Sequence, residues 1–225
     1  GHADRIVTID DELLELFAKL YDDEGTSTRQ ARLLAVHSEQ TLEVLRNFAD
    51  QARHLADLEN EYFSLEMWHE TNAQEDGTIE RNTQFIDDVQ NWVLSGPHFF
   101  VATPFYQTPR RRCTSKGQYD PLDLTEIDSD YLPRTNYIPA CSKDEYRRRI
   151  PTTPWTNEED EHELVTENYR LMARSMLASS LVRTLTPAIM PKGAGHIDPI
   201  HSLVFKDSWT MVQVVSLFST VPYDF

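Results

Sequence analysis

The chain has 225 residues, 40% of them hydrophobic and 26% charged, and 37 acidic against 21 basic side chains give a net charge of −16. Those totals suit a globular protein with a real core, and so acidic a body repels phosphate. Its longest apolar stretch, "WTMVQVVSLFSTVPYDF", is interrupted by Gln213, Ser216, Ser219 and Thr220, so no membrane span is expected.

The first ninety residues read as helices. "TIDDELLELFAKLYDDEG" offers Thr8 as an N-cap, acids in the first turn, and Leu13, Leu14, Phe17 and Leu20 on one face, with Gly25 as the stop. After "GTST", Leu34, Thr41, Leu45, Phe48, Ala52, Leu55, Leu58, Tyr62 and Leu65 recur at spacings of three, four or seven, which predicts one helix of roughly 35–40 residues. A third helix is expected over residues 79–94, burying Phe85, Ile86, Val89 and Trp92. Together they predict an antiparallel helical bundle or long helical hairpin over residues 1–94.

The pattern changes near Gly96. Prolines at 97, 104, 109, 121, 133, 139, 151 and 154 exclude long helices. "HFFVATPFY" is strand-like by residue type, and "YLPRTNYIPAC" is extended. A helix is expected from about Glu158 to Ser180, then a strand in "RTLTPAIMP", a turn at "GAGH", a strand in "HSLVFKD" and a helix in "SWTMVQVVSLFS". The expected class is α+β: an acidic helical scaffold over 1–94, then an irregular, loop-rich α/β part over 95–225. The start, Gly1-His2, reads as a tag remnant, and Phe225 closes the chain inside an apolar segment, so a piece cut from a longer polypeptide is expected, truncated at its C-terminus.

Charge is unevenly spread. Residues 1–91 hold 7 basic and 21 acidic side chains, a net of −14, whereas residues 96–154 hold 9 and 7, a net of +2. Arg110, Arg111, Arg112 and Lys116 fall within the sixteen residues Pro104 to Tyr119, which contain no acid. Arg147, Arg148 and Arg149 follow Tyr146, and Arg134 and Asn136 lie in "LPRTNY". Guanidinium forks suit phosphate and guanine edges, amides suit adenine, and hydroxyls hold phosphates. Runs of arginine also serve to solvate a loop or pair with acids such as those at 158–163.

Other chemistry is poorly represented. The eight histidines and two cysteines show no CxxC, HxxxH or HExxH spacing, and two cysteines point to a reduced, cytoplasmic setting without a disulfide framework. His196, Asp198 and His201 form the nearest thing to a metal or nuclease cluster, but the residue two before Lys206 is Val204, not the acid such a triplet needs. No Gly-x-Ser-x-Gly elbow and no phosphate-cradling glycine loop occurs.

"SGPHFFVATPFYQTPRR", "DYLPRTNYIPAC", "EYRRRIPTTPW", "YRLMARSMLASSLVRTLTPAIMPKGAGHID" and "SLVF" resemble one region of large bacterial adenine-specific DNA methyltransferases. These are single-chain restriction–modification and phage-defence enzymes of the type IIG kind. The resemblance covers about residues 92–225 and implies a target-recognition region downstream of the catalytic core. The family's NPPY-like motif stacks the flipped adenine. Its nearest counterpart is "TPFY", Thr103 to Tyr106, where Thr replaces the amide, so no catalytic role carries over. The glycine-rich S-adenosylmethionine loop is missing too, so that cofactor belongs to the parent enzyme and none is expected in this fragment.

The resemblance implies double-stranded DNA and the missing catalytic core of the same polypeptide as partners, with no membrane. Arg110, Arg111, Arg112, Lys116, Arg134, Arg147, Arg148 and Arg149 become phosphate or base contacts, with Tyr106, Gln107 and Asn136 as polar neighbours. The fragment itself is then inactive. The alternative is a protein–protein interaction or scaffold module of a defence complex, its arginines paired with carboxylates of a partner or of the chain itself.

Overall fold

A computed structural model describes residues 6–36, 38–99, 103–115, 117–176, 183–220 and 223. The chain divides into two compact units, Gly1–Glu59 and Asn60–Phe225.

Among its described residues the first unit contains two α-helices, α1 (Asp11–Tyr21) and α2 (Glu39–Ala49). Asp10 caps α1, its carboxylate accepting from the Leu13 amide at 3.0 Å, and Asp11 and Glu12 complement the dipole of the first turn. Ser38 caps α2 through the Thr41 amide at 3.2 Å. Leu13 and Phe17 of α1 pack with Val36, Leu42 and Leu45, so the amphipathic pattern here translates directly into a small core.

The long helix is a misreading. Helix α2 stops at Asp50, and the periodicity continues through a 3-10 segment, Leu55–Glu61, into β1 (Tyr62–Leu65). Strand β1 pairs antiparallel with β12 (Ile200–Phe205), matching Tyr62 to Phe205 and Leu65 to Ser202. A spacing of three or four does not tell a helix from short segments whose apolar residues meet distant partners. Tertiary pairing likewise replaces the helix expected over 79–94. After the short helix α3 (Glu70–Glu75) come β2 (Ile79–Gln84) and β3 (Val93–Leu94). Among the described residues of 1–94 no helical bundle is found, and the coarse class is mixed α+β.

The second unit holds two four-stranded sheets and two hairpins. One sheet, ordered β1-β12-β9-β10, is antiparallel and includes β9 (Arg170–Arg174) and β10 (Ala188–Met190). Strand β9 lies where a helix was expected over 158–180. It is sandwiched between β12 and β10, and its Leu171 and Met172 are fully buried. The expected strands in "RTLTPAIMP" and "HSLVFKD" are β10 and β12. The other sheet, ordered β11-β3-β6-β2, adds β6 (Thr135–Pro139) and β11 (Gly195–His196), the latter parallel to β3. Its edge strand β2 is mostly exposed.

The hairpins are β4 (Gln107–Pro109) with β5 (Tyr119–Pro121), and β7 (Thr152–Thr156) with β8 (His162–Leu164). Helix α4 (Lys143–Arg149) precedes β7, and α5 (Ser208–Phe218) follows β12, capped by Asp207. The two large sheets share a core: Leu65 and Val204 of one pack with Val93 and Tyr137 of the other. A second cluster joins Trp92, Leu94, Phe99, Met172, Met190 and Ile200. Gly96 sits where backbone meets Pro199, since a Cβ there would lie 2.8 Å from the proline Cβ. Among the described residues no helix is long and apolar enough to cross a membrane.

Candidate nucleic-acid interface

The acid-free stretch folds as the connection of the β4–β5 hairpin. Thr108 faces Asp120 and Pro109 faces Tyr119, and the Arg110 amide donates to the Gln118 carbonyl at 3.0 Å. The loop beyond is braced from within. The Gln118 side-chain oxygen accepts from the Thr114 amide (2.7 Å) and the Ser115 amide (3.2 Å), and Cys113 is buried as a plug. Arg111 and Arg112, just before that plug, are exposed. Lys116 lies outside the described residues.

A buried polar network supports the hairpin from below. Asn136 of β6 is 3% exposed; its amide NH2 donates to the Tyr119 hydroxyl and its Oδ1 accepts from Thr83 at 3.1 Å. Burial pushes the Tyr119 phenol up to about 12, so it stays protonated. His98 is fully buried, and burial holds its pKa below the usual histidine value. Its neutral ring donates from Nε2 to the Arg134 carbonyl at 3.0 Å, which leaves Nδ1 to accept from the Ser95 amide at 3.2 Å.

The basic residues divide by how they are paired. Arg110 forms an ion pair with Asp120 at 2.8 Å. The arginines of α4 are tied inward: Arg147 to Glu167, Arg148 to Glu145, and Arg149 to Glu145 at 2.8 Å and to Thr78 Oγ1 at 2.7 Å. Hydrogen bonding from Arg149, then the charge of Arg148, holds the Glu145 carboxyl below its ordinary range. The helix explains the cluster. Ser142 caps it, Asp144 and Glu145 occupy the first turn, and three arginines meet the negative end of the dipole. The adjoining cleft of about 820 Å³ is lined by Asp144, Glu161, Glu163 and Glu167 as well as Arg147, Arg148 and Lys192, so it offers no cationic field.

By contrast, among the described residues no carboxylate pairs with Arg111, Arg112 or Arg134. Arg134 is half-buried, its guanidinium donating to the Pro109 carbonyl at 3.3 Å and lying 4.3 Å from the centroid of the Phe85 ring. A fourth such cation escapes a reading from sequence. Arg81 of β2 is exposed, donates to the Cys113 carbonyl at 3.2 Å, and so joins the loop from the sheet side. Its position in the acidic half conceals it, and no local motif marks it.

Among the polar neighbours, Tyr106 is exposed, while Gln107 spends its side-chain NH2 on the Pro97 carbonyl at 2.9 Å. With both ends of its amide occupied in the core, Asn136 cannot reach a base edge in this conformation and acts as a strut.

The histidine cluster is dispersed among local tasks. His196 is fully buried against Ser202 Oγ at 2.8 Å, with burial depressing its pKa to about 3. His201 pairs with Glu66 at 3.2 Å, and Asp198 accepts from the Glu70 amide at 2.9 Å. Among the described residues no group of three His, Cys, Asp or Glu is placed to hold a metal ion. Nor does Gly193-Ala194-Gly195 fit a cofactor cradle such as S-adenosylmethionine needs. A Cβ at Gly195 would meet the Tyr146 hydroxyl at 2.8 Å, and one at Gly193 the Gln90 backbone at 3.3 Å. Comparison with protein-family models, curated proteins and solved structures gives no match.

The pairing pattern has a measurable consequence. Arg147→Ala and Arg148→Ala are expected to change stability by less than about 0.5 kcal/mol, because their ion pairs are exposed. Arg149→Ala is expected to lower the urea midpoint more than either, since it strips Thr78 and the Asp76 carbonyl of a donor.

Proposed function

We propose that the chain is a non-catalytic DNA-recognition fragment of an N6-adenine DNA methyltransferase from a restriction–modification or phage-defence system. Its grip on the duplex is the β4–β5 loop. The observation that carries this reading is the set of four guanidinium groups, Arg81, Arg111, Arg112 and Arg134, that surround one acid-free loop without a carboxylate partner among the described residues, in a chain of net charge −16.

The mechanism is binding rather than bond-making. Arg111 and Arg112 reach phosphates, and the rigid hairpin sets their register. Distant acids are screened within about 10 Å at 0.1 M salt, so the local cations govern contact. S-adenosylmethionine and the base-flipping site belong to the catalytic core of the parent polypeptide, a cytoplasmic enzyme. The full chain should bind a random-sequence 20-base-pair duplex in fluorescence anisotropy at 50 mM salt. Absence of binding there contradicts the reading.

A second reading, a protein–protein interaction module, draws on the inward pairing of the α4 arginines and on the outer face of α5, where Trp209, Val212 and Leu217 are exposed. Alanine at residues 110–112 separates the two readings. DNA binding by the parent enzyme falls under the first, whereas under the second it survives and complex assembly falls.

A further inference from the structure

Phe85 is an exposed aromatic side chain flanked by a paired strand residue and a core residue. Its backbone follows Gln84, which pairs with Thr135 across β2 and β6, and precedes Ile86, which is buried in the core. Yet Phe85 itself is 54% exposed. The Arg134 guanidinium lies 4.3 Å from the ring centroid, so one face is already stacked.

Arg134 is fixed at four points. Its amide donates to Thr108 Oγ1 at 3.0 Å, its carbonyl accepts from His98 at 3.0 Å, its guanidinium donates to the Pro109 carbonyl at 3.3 Å, and its charge rests on the ring. Pro109 leads directly into Arg110 and the cationic loop. A cation stacked on an exposed ring, next to cations free for phosphate, has the composition of a base-stacking platform.

We propose that Phe85, backed by Arg134, receives an unstacked nucleobase of the DNA strand whose phosphates the loop at 110–113 holds. This inference rests on the DNA-recognition reading and deepens it. An apolar ring in a cationic rim discriminates by stacking. It therefore favours DNA with an unpaired base over an intact helix and shows little preference for which base it is.

The test compares three proteins, the full chain with Phe85, Phe85→Ala and Phe85→Trp, on two probes: an intact 20-base-pair duplex and the same duplex with one unpaired adenine. Phe85 is exposed, so both variants should keep the parent melting temperature. Expected are about a tenfold affinity loss for the bulged probe in Phe85→Ala, less than twofold on the intact duplex, and full recovery in Phe85→Trp. Unchanged affinity for the bulged probe in Phe85→Ala, with salt-dependent binding of the intact duplex retained, overturns the stacking role and leaves the DNA reading standing. Absence of binding to either probe overturns both.

Discussion

Replacing Arg111 and Arg112 together by alanine is expected to weaken duplex binding roughly thirty-fold at 100 mM salt, at about 1 kcal/mol for each guanidinium lost from a phosphate. The fold should not notice. Both side chains are exposed, and the loop is braced by Gln118 and the Cys113 plug rather than by the arginines. Arg110→Ala should do less, because Asp120 already claims its guanidinium. An anisotropy titration with the three variants side by side checks the order. Equal losses from Arg110→Ala and from the double variant would mean that the loop contributes only net charge.

Acid is expected to unfold the second unit earlier than its carboxylates would require. His98 and His196 are fully buried with pKa values depressed by burial, the latter to about 3 against 6.5 when exposed. A depressed folded pKa means that the unfolded chain binds the extra proton. The stabilisation is therefore present above pH 6.5 and lost as pH falls towards the folded value. His196 then removes about 1.4 kcal/mol per pH unit, or about 2 kcal/mol between pH 6.5 and 5, a sizeable share of a usual folding free energy of about 5–15 kcal/mol. His98 acts in the same direction, because its burial also disfavours the charged ring. Asp123 and Asp207, held low by bonds to Thr125 and Thr210, add their losses only where carboxylates protonate, below about pH 4. Urea midpoints should fall steadily from pH 7 to 5, and His98→Gln should make that slope shallower. A flat profile over this range would mean that the histidines reach water in the native state.

What the sequence disclosed, and what it concealed, follows from where the determinants lie. Helices α1 and α5 and strand β12 were legible because their apolar patterns are local, although α1 is capped by Asp10 and not by Thr8. The long helix over 34–65 and the helix over 158–180 were not, because β1 and β9 exist through pairing with β12, a partner far along the chain or beyond two further strands. The acid-free loop was legible as composition, but its neighbours were not. Arg81 reaches Cys113 across 32 residues and Phe85 meets Arg134 across 49, and Phe85 had read as part of a buried stripe. The triplet at 147–149 illustrates the converse. Ser142, then Asp144 and Glu145, then three arginines spell a capped helix with i,i+3 and i,i+4 pairs, so the structural role of those arginines was written locally beside them.

The most direct measurement is the salt dependence of duplex affinity, taken from 50 to 200 mM for the unmodified chain and for the Arg111→Ala, Arg112→Ala double variant. The two phosphate contacts of Arg111 and Arg112 predict log affinity falling with log salt at a slope of about −2, close to flat in the variant. A slope near zero in the unmodified chain, or the same slope in both proteins, would contradict a cationic loop that grips DNA.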